Sequence, residues 1–260
     1  MAITDTPWVG SSTNKLYLQS GQFSSTIKTS FDVSPIDIDA SGISWDGTNT
    51  PWMSSLSGLD VLYLQSGQFS STLKTSLDVA AIDDMVSGIS WDGTNTPWCG
   101  AGDDKLYLQS GQFSSTMKTS LYIGAIESIC LGISYDGTNT PWCGTGADKL
   151  YLQSGQFSST MKTSLSVGAI DNGVSGISYD GTNTPWCGFA NKLYLQSGQF
   201  SSTLKTSLDV DAIDVQLFGI GTNDINGRLG VASVAVTNLA GEGGLAGYGS
   251  TIIGPGGLAA

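Results

Sequence analysis

The sequence has no histidine and a single arginine, Arg228, among its 260 residues. This removes imidazole acid–base catalysis, His-ligated metal centres and the bidentate guanidinium clamp that commonly holds phosphate. Charge is scarce as well: only 12% of residues are charged, about half the usual share, and 10 Lys+Arg against 22 Asp+Glu leave a net charge of −12. So acidic a chain is repelled by a phosphate backbone, which argues against nucleic acid as a partner. No stretch approaches the roughly 18 consecutive apolar residues of a spanning helix, and the opening MAITDTPWVG lacks the basic and apolar blocks of a secretory signal. The expectation is a protein with no secretion signal and no membrane insertion. No P-loop, CxxC or nucleophile–base pairing is present, so a non-enzymatic role is expected, with no cofactor. A glycosidase needs two placed carboxylates, but most acidic positions here recur from unit to unit, as scaffold residues do.

What the chain has is repetition. The string LYLQSGQFSST occurs five times, with its tyrosine at Tyr17, Tyr63, Tyr107, Tyr151 and Tyr194, at spacings of 46, 44, 44 and 43 residues. A period in the forties with strand-like content and no 3.6-residue periodicity is the mark of a β-propeller blade. Within the third unit, four short strands are expected: A from Gly88 to Trp91, B from Pro97 to Cys99, C from Lys105 to Gln109 and D from Met117 to Ile123. The A–B connection (Asp92 to Thr96) and the C–D connection (Ser110 to Ser115) are rich in residues suited to tight turns. Strand D alternates apolar residues with Lys74, Ser76 and Asp78 in the second unit, which fits an outer edge protected by charge.

The first unit begins at strand B, since TDTPW (residues 4–8) matches TNTPW (residues 94–98). Leu217 to Ile220, after the fifth strand D, supplies the missing strand A. Sharing one sheet between the two ends closes the ring and removes open edges. The expected fold is therefore all-β: a five-bladed β-propeller of four-stranded antiparallel blades over residues 1–224. The repeats fall near 4–41, 42–87, 88–131, 132–175 and 176–216, with a closing strand at 217–224. Residues 225–260 do not match the repeat and form a Gly-rich tail. Two readings of the tail stand side by side, a flexible end and an assembly segment. Its apolar content favours the second, with Val231, Val234, Val236, Ile252 and Ile253 as candidate assembly residues.

In a propeller the A–B and C–D connections share one face of the disc, and the B–C and D–A connections share the other. The first set is nearly invariant here (DGTNT and SGQFSST), whereas the second set differs from blade to blade. Turn geometry and recent duplication explain the uniform face. Alternatively it is a multivalent surface, with five weak sites acting together on a repeating ligand such as a glycan. Candidate binding residues on that face are Trp45, Trp91, Tyr135 and Tyr179, which precede the A–B turns, together with Asn95, Gln112 and Phe113. Trp8, Trp52, Trp98, Trp142 and Trp186 in strand B read as core rather than as sugar platforms. Asp46, Asp92, Asp136 and Asp180 read as caps of their own turns rather than calcium ligands, because no DxDxDG loop is present. The D–A acids Asp37, Asp83, Glu127, Asp171 and Asp214 read as solvated charge. Cys99, Cys143 and Cys187 align with Val9 and Met53, which marks an apolar core position bearing free thiols rather than disulfides.

The unit GISWDGTNTPWCG…KLYLQSG…LKTSLDV resembles the short blade repeats of propellers in phage and prophage virion proteins, over residues 4–224. In blade number and repeat length the chain is also similar to tachylectin-type lectins. The first resemblance implies a virion structural component made in the host cytoplasm, a head or tail decoration or fibre protein. Such a protein contacts other virion proteins or copies of itself through residues 225–260 and meets host-surface glycan. The second implies a soluble multivalent lectin.

Overall fold

The computed structural model describes residues 5–55 and 60–222. The candidate assembly residues Val231, Val234, Val236, Ile252 and Ile253 lie outside the described residues. Every regular element among the described residues is a strand, and the strands form five separate four-stranded antiparallel sheets. Blade I holds β1 (Asp5–Gly10), β2 (Lys15–Ser20) and β3 (Ile27–Asp32). Blade II holds β4 (Ala40–Ile43), β5 (Thr50–Ser54), β6 (Val61–Gln65) and β7 (Leu73–Asp78). Blade III holds β8 (Val86–Ile89), β9 (Thr96–Gly100), β10 (Lys105–Gln109) and β11 (Met117–Tyr122). Blade IV holds β12 (Cys130–Ile133), β13 (Thr140–Gly144), β14 (Lys149–Gln153) and β15 (Met161–Ser166). Blade V holds β16 (Val174–Ile177), β17 (Thr184–Gly188), β18 (Lys192–Gln196) and β19 (Leu204–Asp209). The last strand, β20 (Leu217–Ile220), pairs antiparallel with β1 and completes blade I, so the ring closes as the repeat arithmetic requires.

Strand A is displaced from its expected position. In blade III it spans Val86–Ile89, ending two residues before Trp91. Val86 and Ile89 are buried, whereas Trp91 is only half-buried at the start of the turn. The apolar residues that face the neighbouring blade thus set the strand, and the aromatic that follows them is left to the loop. Strands B and C are buried along nearly their whole length because each blade is covered on both faces, while strand D is largely exposed at the rim.

Each blade is built around one aromatic pair. Trp98 lies directly opposite Tyr107 in the β9–β10 register, and their rings stack with centroids 4.1 Å apart and planes 18° apart. The same stack recurs in the other four blades. Such a pair adds about 0.5–1.5 kcal/mol beyond the area it buries. The strand-B tryptophans are fully buried, as expected of core residues. The indole N–H of Trp98 needs an acceptor in that interior. Gln109 supplies it through Oε1 at 3.4 Å, and its own Nε2 donates to the Ser114 carbonyl at 2.6 Å. One buried amide therefore satisfies the indole and also pins the C–D hairpin. A register shift between Leu108 and Gln109 locally disrupts the β10–β11 ladder at this point, and the shift recurs in every blade.

The blades meet at the axis through glycine. A Cβ added to Gly88 would come within 2.8 Å of the Gly132 Cα, and one added to Gly132 within 2.8 Å of the Gly176 Cα. Gly219 and Gly42 close the same circle. With five innermost strands this near each other there is no room for any side chain at these positions, and the axial space between them is only about 10 Å³. Beyond this circle, adjacent blades share hydrophobic clusters. Met53, Leu62 and Leu64 of blade II pack with Ile89, Trp98 and Tyr107 of blade III. Leu193 and Val210 of blade V pack with Trp8, Tyr17 and Leu217 of blade I, which seals the ring.

Candidate functional site

The uniform face is assembled from two turns per blade. In the A–B turn of blade III, Asp92 Oδ1 accepts the backbone N–H groups of Thr94 at 2.7 Å and Asn95 at 2.5 Å, and Asp92 Oδ2 accepts from Asn95 Nδ2 at 3.0 Å. This is the self-capping turn the sequence suggests. Asn95 Oδ1 then accepts the N–H of Gly111, and Thr96 Oγ1 donates to the Gly111 carbonyl at 3.1 Å, joining the A–B turn to the C–D hairpin. The two connections share one face, as anticipated.

Between blades, a further bond falls on Oδ2, the carboxylate oxygen that also accepts the asparagine amide of its own turn. Gln112 of blade III donates to Asp46 of blade II, Gln156 of blade IV to Asp92 of blade III, Gln199 of blade V to Asp136 of blade IV, and Gln22 of blade I to Asp180 of blade V. The hairpin of each of these blades is thereby tied to the turn of the blade before it. Sequence reasoning missed this latch, although its one signal, a glutamine at a fixed place in every hairpin, was visible.

The seven candidate binding residues consequently separate. Phe113 is 8% exposed, has φ +57° and packs with Trp98 and Tyr107, so it is a lid on the core and not a platform for a ligand. Asn95 is buried with both ends of its amide engaged, and Gln112 is spent on the latch. These three side chains serve the fold, because a tight turn that must be both satisfied and anchored consumes the polar groups nearest to it. Trp45, Trp91, Tyr135 and Tyr179 are half-buried at the ends of the innermost strands. Burial raises the Tyr135 hydroxyl pKa above its usual value, and the carboxylates of Asp92 and Asp136 raise it further. Tyr179 is raised in the same way by burial and then by Asp136 and Asp180. Each tyrosine thus feels the turn of its own blade and that of the preceding one. In blade I the fifth position is Thr222, which donates to the Tyr179 carbonyl at 3.0 Å. The aromatic set therefore has four members and one gap.

On the opposite face the D–A acids are not solvated charge, which corrects the sequence reading. Asp37, Asp83, Glu127, Asp171 and Asp214 are all buried, and each accepts a hydrogen bond from the strand-C tyrosine of the blade its loop leads into. The Tyr107–Asp83 bond is 3.1 Å, and Asp83 also accepts the backbone N–H groups of Gly102 and Asp103. The tyrosine that stacks on the tryptophan thus carries its hydroxyl into the loop that leads into its own blade. Adjacency of these loops in space, and not their polarity, decides the role of the acids. Desolvation, reinforced by the acid, raises the pKa of all five tyrosines above the usual value.

Charge is divided unevenly between the faces. Acidic residues at 32–39, 78–84, 127, 171 and 209–214 (D–A side) and at 60, 103–104 and 148 (B–C side) make fifteen on the individual face. Only Lys15, Lys105, Lys149 and Lys192 oppose them, leaving eleven negative charges. Near the uniform face, Lys28, Lys74, Lys118, Lys162 and Lys205 match Asp5, Asp46, Asp92, Asp136 and Asp180 one for one. All four cysteines are buried and free, with Cys99, Cys143 and Cys187 in the predicted core position. Among the described residues no cluster of three or more Cys, Asp or Glu side chains is placed to hold a metal ion. Among the same residues no helix is long and apolar enough to cross a membrane.

No protein-family model matches the chain, and no curated protein matches its sequence. Solved structures match by shape. A chain of a nidogen/laminin complex aligns with a TM-score of 0.57 at 11% identity, covering 85% of this chain and 98% of that one. Glutaminyl cyclase of Myxococcus xanthus aligns with a TM-score of 0.51 at 9% identity, covering 71% and 77%. At such identities the likeness extends to the fold alone, and the chain is a five-bladed β-propeller of four-stranded antiparallel blades.

Proposed function

We propose that this propeller is a non-enzymatic display and adhesion component of a phage virion, a head or tail decoration or fibre protein, with residues 225–260 as its attachment segment. The observation that carries this reading is the uniform face. Four blades present the same Asp-capped turn, latched to the next blade's hairpin by glutamine and bearing a half-buried aromatic at its start. Polar side chains locked into the fold leave no adaptable acid–base pair there. A rigid array of equal units is suited to meeting a repeating surface through many weak contacts. The blade resemblance to virion propellers supports the setting.

Full-length protein and a 1–224 truncation, compared by size exclusion with light scattering and by incorporation into particles, test the proposal. A defined oligomer or particle binding that disappears on truncation supports an attachment segment. Identical compact monomers that do not bind particles overturn it. The half-buried Trp45, Trp91, Tyr135 and Tyr179 favour a second reading, a soluble multivalent lectin. Under that reading the truncation retains glycan-array binding, and Trp45→Ala with Trp91→Ala loses it.

A further inference from the structure

The individual face carries an apolar groove that the repeat does not explain. At its centre lies a 180 Å³ basin whose lining includes Met85, Leu131 and Phe218, together with Ser41 and Ser87. It adjoins a 370 Å³ groove formed by Phe189, Asn191 and residues 215–218, and Phe218 lines both. Clefts of about 300–1,000 Å³ are the usual size for ligand recognition. Phe189, Met85 and Val215 are 47, 51 and 63% exposed, which is high for such side chains.

These residues stand where the blades depart from one another. The positions equivalent to Phe218 hold Ser41, Ser87, Leu131 and Ser175, and those equivalent to Phe189 hold Ser11, Ser55, Ala101 and Thr145. Val215 corresponds to Ile38, Asp84, Ser128 and Asn172. In a chain whose copies otherwise agree closely, large apolar residues stand together at three neighbouring points of one surface where most of the other blades carry small or polar ones. One replacement is accommodated by another: a Cβ on Gly173 would lie 2.2 Å from the Phe189 ring, so Phe189 fits because blade V carries glycine there. Phe189 and Phe218 then meet edge to face, with centroids 6.4 Å apart.

The surroundings specify what fits. The groove opens on the face that carries eleven negative charges, so an acidic or neutral apolar segment gains no electrostatic attraction there and a cationic one does. A second propeller approaching with the same face brings like charge, which is unfavourable. We infer that the individual face is a docking surface for a basic protein segment, one that sets a large apolar side chain against Phe189 and Phe218 while its Lys or Arg residues meet the acidic loops. The surface is separate from the uniform face and does not depend on its role.

The probe is a random-peptide display library, panned against full-length protein and against the triple variant Phe189→Ala, Val215→Asn, Phe218→Ser. Each substitution installs a residue another blade already carries at that position. The variant is expected to retain the strand circular dichroism and melting behaviour of the parent, and a Phe218→Leu variant serves if it does not. The expected result is enrichment of peptides combining Lys or Arg with Leu, Phe or Trp. A synthetic copy of the best peptide is expected to bind at least about tenfold more weakly to the triple variant, and more weakly as salt rises. Enrichment of acidic or uncharged peptides, equal binding to the variant, or no enrichment at all overturns the inference. Self-association abolished by the triple substitution does so too, by giving the groove to a second copy.

Discussion

Gln156 of blade IV donates its side-chain amide to the carboxylate of Asp92 in blade III, 64 residues away in sequence, and the same carboxylate caps the turn it starts. One acid thus fixes a turn and joins two blades. Replacing the acid and replacing the amide are therefore distinct experiments.

For this latch, Gln156→Ala removes only the bond between blades and is expected to cost about 1.5–3 kcal/mol, as befits a hydrogen bond to a charged, partly buried acceptor. Asp92→Ala removes the turn cap as well and is expected to cost more. Denaturant unfolding of the two variants measures the order, and equal losses refute the division of labour.

The buried amide of Gln109 gives the second prediction. Gln109→Leu keeps the volume roughly but leaves the Trp98 indole N–H and the Ser114 carbonyl without their partner. A buried group left unsatisfied costs about 1–3 kcal/mol. A matching fall in stability is expected, with a near-ultraviolet circular dichroism change reporting looser Trp98–Tyr107 stacking. An unchanged spectrum and midpoint count against the bridge.

The glycine circle gives the third. At Gly132 the obstacle to a Cβ is backbone, the Gly176 Cα at 2.8 Å, and backbone cannot turn aside as a side chain does. Gly132→Ala is expected to destabilise by about 1–3 kcal/mol or more through overpacking. Thermal melting that matches the parent shows that the blades move apart freely.

The fourth concerns alkaline pH. The strand-C tyrosines and the thiols of Cys130, Cys143 and Cys187 have pKa values raised by burial, Cys187 to about 12. A folded-state pKa above the unfolded value means that the native state holds its proton longer. Their stabilisation is then complete below pH about 8.5, the ordinary thiol value, and is lost as pH rises past that value and past the tyrosine value near 10. Urea midpoints between pH 8 and 11 are expected to fall, and Tyr107→Phe is expected to flatten the fall above pH 10. A variant profile parallel to the parent's removes Tyr107 from the account.

The order of strands, the fivefold closure through β20 and the burial of the strand-B tryptophans were legible in the chain. Near-identical copies expose their own spacing, and an incomplete first unit points to its missing strand. By sequence, the Gly-Ile-Ser-Trp run reads as continuous extended chain, which puts Trp91 inside strand A. Only the packing of Val86 and Ile89 against the neighbouring blade moves that strand two residues earlier. Phe113 and Asn95 looked available because turns are usually exposed. The hairpin instead folds the phenyl ring back onto Trp98, and the amide is used to tie two turns together.

What the sequence determined alone is what one unit dictates: its four-strand order, its turns, the core role of its strand-B tryptophan and the number of units. These follow from local alternation and repetition. What tertiary structure decided is every relation between units, namely the Asp–Gln latch, the buried Tyr–acid bonds, the glycine contacts at the axis and the gathering of Phe189, Val215 and Phe218 into one groove. Those relations join residues brought near each other only when the ring closes, and no periodicity within a single strand encodes them.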